Sequence, residues 1–519
     1  MSQHASNPAF NATGNATGNA PGSEPGTEPA ALPQRTRVAI LGAGMSGLCM
    51  AIQLRKRGVT DFVVLEKADS VGGTWRENTY PNIACDVPSH VYSFSFELNP
   101  NWSHSYSGGQ EIWDYCNRCV DKYGLGGYLH YNREVTSAKF DGEQWQIALA
   151  DGAALSADVV VSGLGGLHLP NHADIEGIDQ FEGERFHTAN WNHEHDLKDR
   201  KVAMIGTGAS AGQALPGIAP EVESVTVFQR SAAWVFPRLA QDIPADRRKL
   251  FSRHPWLMRL YRWYLWAFMD LMGILALTRG GPLAKRLKRS GLDHLANSVT
   301  DPETRAALTP DYEPGCKRRV ISDDYLSTFN RDNTHLVTCG IERIEANGVR
   351  DTDGVLHEVD TLIEATGFRP FDITDYVSIT GRDGQSLQDV WSEQVTALRT
   401  MMVPGFPNFF MMLGPNSATG HTSALIMIES TVNYVINCLE FMNSRGVKHL
   451  DPDPAAVSRY NARLQKDIKK MVFSHGCGAW YTDERDFNFT LWPYSAARFL
   501  WEQAKVEPGE FGLAAETNR

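Results

Sequence analysis

Val38-Ala39-Ile40-Leu41-Gly42-Ala43-Gly44-Met45-Ser46-Gly47, then the run LCMAIQLRKRG, then Phe62-Val63-Val64-Leu65-Glu66, decides the fold. A short apolar strand leads into a glycine-rich turn, a helix follows, and an acid closes a second apolar strand. Gly42 allows the tight turn, Gly44 lets the backbone approach a pyrophosphate, and Gly47 permits close helix-to-strand packing. A bound pyrophosphate would meet uncapped N–H groups and the positive end of the helix dipole. Glu66 would accept a hydrogen bond from a ribose 2′-hydroxyl, and its charge would repel a 2′-phosphate. This site therefore takes FAD or NAD rather than NADP.

The same pattern recurs at Lys201. The strand VAMI leads into Gly206-Thr207-Gly208-Ala209-Ser210-Ala211, with alanine in place of the third glycine. A helix and the strand VTVFQR follow. Glu66 stands 24 residues after Gly42, and Arg230 stands 24 residues after Gly206. One geometric position thus carries a carboxylate in the first unit and a guanidinium in the second. A planar guanidinium fork suits a phosphate, so the second unit prefers NADPH. Two sites of opposite preference imply hydride transfer from NADPH to FAD.

Outward from these units, composition sets the frame. With 519 residues the chain exceeds one ordinary core, so two or more domains are expected. A hydrophobic share of 42% and a charged share of 21% fit a globular enzyme. The net charge of −12 argues against nucleic acid as a partner. The N-terminus lacks the basic start and apolar core of a signal peptide, which points to the cytoplasm. Residues 1–35, with the repeat NATGNATG, read as a disordered tail. Cys116 and Cys119 form a lone CxxC in a helical segment and read as two ordinary thiols rather than a redox pair or half a zinc site.

The segments beyond the two units narrow the class. Gly72-Gly73-Thr74-Trp75, Tyr80-Pro81 and Asp86 follow the first unit. Phe181-Glu182-Gly183-Glu184-Arg185-Phe186-His187-Thr188-Ala189-Asn190-Trp191 lies between the two. This last stretch resembles F-x-G-x-x-x-H-x-x-x-W, the fingerprint of Baeyer–Villiger monooxygenases, and the resemblance runs over nearly the whole chain from residue 36. Trp191 favours that family over the flavin-containing monooxygenases, which oxidise nitrogen and sulfur. Asn192 and Asn82 depart from the residues usual after the Trp and after the Tyr-Pro pair.

The resemblance implies two doubly wound Rossmann-like α/β domains. Residues 36–165 and 365–519 would form a discontinuous FAD domain. Residues 166–364 would form an NADPH domain with a helical insertion near 240–310. It implies oxygen addition at flavin C4a, attack of the resulting peroxide anion on a ketone, and an ester or lactone product; sulfoxidation can accompany it. Within Tyr312-Glu313-Pro314-Gly315-Cys316-Lys317-Arg318-Arg319, Arg318 would be the active-site arginine and Lys317 a second clamp on the 2′-phosphate beside Arg230. Asp86 would orient Arg318 and relieve a buried charge. Met45, Ser46, Thr74, Trp75, Tyr92, Val135 and Ser231 complete the implied cofactor contacts. His187 and Trp191 would serve the joint between domains rather than proton transfer. Glu364-Ala365-Thr366-Gly367-Phe368 would return the chain to the FAD domain, and an apolar helix after FPNFFMMLGPNSATGHTS would point its N-terminus at the flavin.

Three other classes share parts of this architecture. A heteroatom-oxidising flavin monooxygenase would not need an arginine that favours an anion. A flavin disulfide reductase would need a cysteine pair soon after the first unit, and Cys49 and Cys85 lack that spacing. A non-catalytic flavoprotein would not need Lys317, Arg318 and Asp86 together. Residues 256–277 are apolar enough to suggest a membrane segment, yet Arg259, Arg262 and Asp270 interrupt them. They read as a helix packed over the active site or lying in a membrane interface, not as a span. Thirteen tryptophans point to a small lipophilic substrate.

Overall fold

The structure is a computed structural model describing residues 31–369, 376–474, 482–483, 485 and 487–513. The expected tail lies outside the described residues as far as residue 30.

The first unit forms where the glycine pattern puts it. Strand Arg35–Leu41, helix Met45–Lys56 and strand Phe62–Leu65 follow in order, and the strands pair in parallel with Val38 opposite Phe62. Gly42 turns the chain at φ 92°, and a Cβ on Gly47 would stand 1.9 Å from the Gly42 carbonyl oxygen. No side chain fits there, so helix and strand pack backbone to backbone.

Eight strands make up the sheet around this unit. Strand Ala154–Ser162 lies beside Arg35–Leu41 and divides its own far edge. Its first half pairs antiparallel with Trp145–Leu149, and its last residues pair parallel with Phe409–Met411. A strand from beyond residue 400 thus rejoins the sheet that residue 35 began. The meander Val135–Phe140 and Trp145–Leu149 makes the sheet mixed rather than wholly parallel. Its turn closes at Gly142, φ 108°, with Asp141 accepting the N–H groups of Glu143 and Gln144.

The second unit is strand Lys201–Ile205, helix Ala209–Ile218 and strand Ser224–Phe228. It lies in a separate five-stranded sheet that is parallel throughout, flanked by Thr334–Val337, Thr361–Glu364 and Glu184–His187. These are two Rossmann-like α/β sheets, as expected. The lone CxxC lies in helix Gly109–Tyr123 as two buried free thiols. Burial pushes both up, Cys119 to about 12, so neither is a ready nucleophile.

Helices Ala245–Arg253, Pro255–Leu277, Pro282–Ser298 and Pro302–Ala307 form the insertion. Three of them begin on proline, which suits a first turn whose N–H has no partner. Two of the three charges that interrupt the apolar run, Arg262 and Asp270, face the protein, while Arg259 is exposed. Arg262 donates to the Ser93 carbonyl at 3.0 Å and lies 3.8 Å from Glu429. Buried Asp270 meets the His421 ring at 2.9 Å and accepts the N–H groups of Ala496 and Ala497. Asp270→Ala would strand these donors, so it should cost about 3–5 kcal/mol. The shift of the chemical-denaturation midpoint measures this loss.

Candidate active site

The two glycine turns leave different room. A Cβ built on Gly73 would lie 3.1 Å from the Gly44 Cα, so two bare glycines face each other across the first turn. A Cβ on Gly208 would meet nothing within 4 Å, leaving open space before the second helix. Neither helix start, at Gly44 or at Gly208, is capped by a side chain. Both turns therefore present helix N–H groups that no side chain caps, the donors that a pyrophosphate meets, with open space before the second. Met45 and Ser46 sit buried in the first turn of the first helix, and Ala209 and Ser210 open the second.

Glu66 closes the first site from below. Its carboxylate accepts the Ala43 N–H at 2.7 Å and the Ala68 N–H at 3.0 Å, with Arg76 3.4 Å away. The acid thus ties the glycine turn to the strand end and keeps lone pairs open for a ribose hydroxyl. Thr74 and Trp75 lie on the short helix Thr74–Glu77, and the Trp75 indole donates to the Tyr92 hydroxyl at 3.0 Å. Val135 is buried in the core of the first sheet, two residues past Arg133, whose N–H donates to the Glu66 carbonyl.

At the second site, Thr207 donates to the Ser231 carbonyl at 3.2 Å, and the Lys317 ammonium donates to the Ser231 hydroxyl at 2.9 Å. Ala211, in place of the third glycine, is fully buried against the core. Arg230 is exposed beside this cluster. Burial first and the Arg230 charge second hold the Lys317 ammonium below its ordinary range. Two cations crowd one spot, and an anion between them would relieve both.

Three consecutive cations reach three different segments. Lys317 holds Ser231 of the second unit. Arg318 donates to Asp86 at 2.7 Å, and Arg319 donates to the Gly420 carbonyl at 2.8 Å. Asp86 belongs to the loop after the first unit, and Gly420 to the turn before helix Ala424–Arg445. Ser423 caps that helix, while Leu425 and Met427 are buried in the core. Burial pushes the Asp86 carboxyl up, but the Arg318 charge and hydrogen bond outweigh it and hold the group below its usual value. The side chain of Arg318 is 50% exposed, where the sequence reading expects a buried charge. The guanidinium is half-exposed, so Asp86 orients the cation rather than offsetting its burial.

Sequence reasoning misses Gln213. This buried side chain, on the second unit's helix, accepts the Ala84 N–H at 3.2 Å, donates to the Ala84 carbonyl at 2.9 Å and meets the Tyr80 hydroxyl. It pins the loop that carries Asp86 against the second sheet. Nothing in its spacing marks it; only the fold brings it there. The group Arg76, Glu77 and His168 is missed for the same reason.

His187 ends strand Glu184–His187, is fully enclosed, and accepts the Ala189 N–H through Nδ1 at 3.0 Å. Trp191 packs edge-on against Phe186, and Asn192 donates to Glu184 at 2.7 Å. Burial lowers the pKa of His187 to about 4, and it does the same to His90, whose ring nitrogens have no hydrogen-bond partner. The unfolded chain takes up these protons first, so stability is full above the ordinary histidine value of 6.5 and falls as pH drops toward 4. Each histidine should withdraw about 2 kcal/mol between pH 7.5 and pH 5. Denaturation midpoints at the two pH values measure it, and His90→Phe should remove one share of the loss.

Two uncapped pyrophosphate cradles, an acid-marked first site and a cation-marked second site define a flavoprotein with a nicotinamide partner. Residues 39–243 match the family model described as pyridine nucleotide-disulphide oxidoreductase. Over 482 residues the chain is 41% identical to a Baeyer-Villiger monooxygenase of Streptomyces coelicolor, covering 92% of each. A steroid monooxygenase structure bound to NADP superposes with a TM-score of 0.81 at 27% identity, over 91% of this chain and 97% of that one. A cyclohexanone-bound cyclohexanone monooxygenase superposes with a TM-score of 0.79 at 26% identity, with the same coverage. The chain belongs to the Baeyer–Villiger monooxygenases, the FAD- and NADPH-dependent enzymes of ketone oxidation.

Proposed function

We propose that this chain takes a small lipophilic ketone, dioxygen and NADPH and returns an ester or lactone, with Arg318 and Asp86 as its catalytic pair. The observation that carries the reading is the Arg318–Asp86 contact at 2.7 Å, made where the two units and the turn at Gly420 converge. FAD, when bound, accepts the hydride and activates oxygen. Residues 36–165, joined by 365–519 in one domain, hold it at Gly42, Gly44 and Glu66, and residues 166–364 hold NADPH.

The side chains divide the remaining work. Arg230, Lys317 and Ser231 receive the 2′-phosphate, and Gly206 and Gly208 leave room for the pyrophosphate. Arg318 keeps its proton at any working pH, so its charge polarises a ketone oxygen and favours negative charge as it develops. Asp86 stays ionised and fixes the direction of the guanidinium. The demand for NADPH goes with a cytoplasmic setting.

A substrate panel tests this. FAD-loaded enzyme with NADPH should form esters from cyclic and long-chain ketones, identified by mass spectrometry. Oxygenated products from amines or thioethers, with none from any ketone, would replace this reading by heteroatom oxidation.

A further inference from the structure

Helix Pro255–Leu277 is turned inside out relative to an ordinary surface helix. Its acid, Asp270, and its inner arginine, Arg262, are held by the protein. The opposite face carries Trp256, Leu260, Trp263, Tyr264, Phe268 and Leu271, each 53% to 61% exposed. Their spacing, steps of four, three, one, four and three, places them on one side of the helix. Seven of the thirteen large apolar side chains exposed among the described residues lie on this helix, so they form a patch rather than scatter.

Charge says what kind of surface covers it. Residues 245–298 contain eleven lysines and arginines against three aspartates, in a chain whose net charge is −12. Arg247, Lys249 and Arg253 are exposed before the stripe, Arg259 beside it, and Lys285, Arg286 and Arg289 on the next helix. A second copy of this chain would bring the same cations face to face and be repelled. An aromatic stripe bordered by cations suits the headgroup and acyl boundary of an anionic bilayer.

Position links this face to the active site. Leu277, at the end of the helix, would touch a Cβ on Gly315 and one on Gly420. Gly315 lies three residues before Arg318, and Arg319 holds Gly420. We infer that the helix Pro255–Leu277 and its flanking cations dock the enzyme on an anionic lipid surface, where membrane-dissolved ketones enter beside Arg318. Entry of ketones rests on the proposed function; docking does not.

The test is co-sedimentation of the full-length, FAD-loaded enzyme with vesicles. Phosphatidylcholine containing phosphatidylglycerol should pellet the enzyme, with weaker recovery on phosphatidylcholine alone or at high salt. The double variant Trp263→Glu, Phe268→Glu should partition about tenfold less or worse, while turning over a short water-soluble ketone at the unaltered rate. Salt dependence of the unaltered enzyme stands as a readout even if the variant folds poorly. Enzyme left in the supernatant with anionic vesicles at low salt overturns the inference. So does a dimer in sedimentation velocity that the double variant breaks, since a second copy then covers the stripe. Vesicle binding without oxidation of any ketone would support docking and remove the functional reading alone.

Discussion

Arg318→Ala is expected to lower ester formation by about 10²–10³-fold in kcat while FAD content and thermal stability stay unchanged. The size follows from removing one preorganised charge aimed where negative charge develops. The stability expectation follows from exposure: this guanidinium is 50% exposed and fills no core space. NADPH consumption should continue, now yielding hydrogen peroxide, because Lys317 and Arg230 still hold the coenzyme. Assays of ester and peroxide from the same reaction separate the two fates. Arg318→Lys should recover little, since a compact ammonium cannot reproduce the fork that Asp86 orients. Equal ester formation by Arg318→Ala would remove this residue from the chemistry.

The second large effect concerns coenzyme choice. The double variant Arg230→Ala, Lys317→Ala should raise the KM for NADPH about 100-fold or more, because each charge-assisted bond to a phosphate contributes about 1.5–3 kcal/mol. The KM for NADH should move less than about twofold, since NADH carries no 2′-phosphate for either cation to hold. The lowered pKa of Lys317 agrees in direction: burial and the Arg230 charge leave the ammonium short of a counter-ion. Steady-state kinetics with both coenzymes decide the matter. Parallel losses for NADH and NADPH would mean that these cations shape the domain rather than read the phosphate.

Much of this was legible because it is written in local spacing. Gly42, Gly47 and Gly206 each answer a backbone demand that no side chain meets, while Gly44 and Gly208 leave room for a pyrophosphate. The contrast of Glu66 with Arg230 is a charge difference at one matched offset. The pairing of Arg318 with Asp86 came from resemblance, since 232 residues separate them. Gln213 left no local signal, because its partners at Ala84 lie in another sheet's loop. The meander Val135–Leu149 is weakly marked for another reason: its alternation is short, and Asp141-Gly142 alone does not say which segments pair. The helix Pro255–Leu277 shows the limit most clearly. The sequence displays its charges but not which way they face, and the direction they face decides what the helix does.

The most direct test of the central claim is oxygen labelling. FAD-loaded enzyme, NADPH and a cyclic ketone would be incubated under ¹⁸O₂, and the product examined by mass spectrometry. The account predicts a lactone carrying one ¹⁸O in the ring, with the carbonyl oxygen unlabelled. Recovery of unchanged ketone, with the label found only in hydrogen peroxide and water, would contradict it.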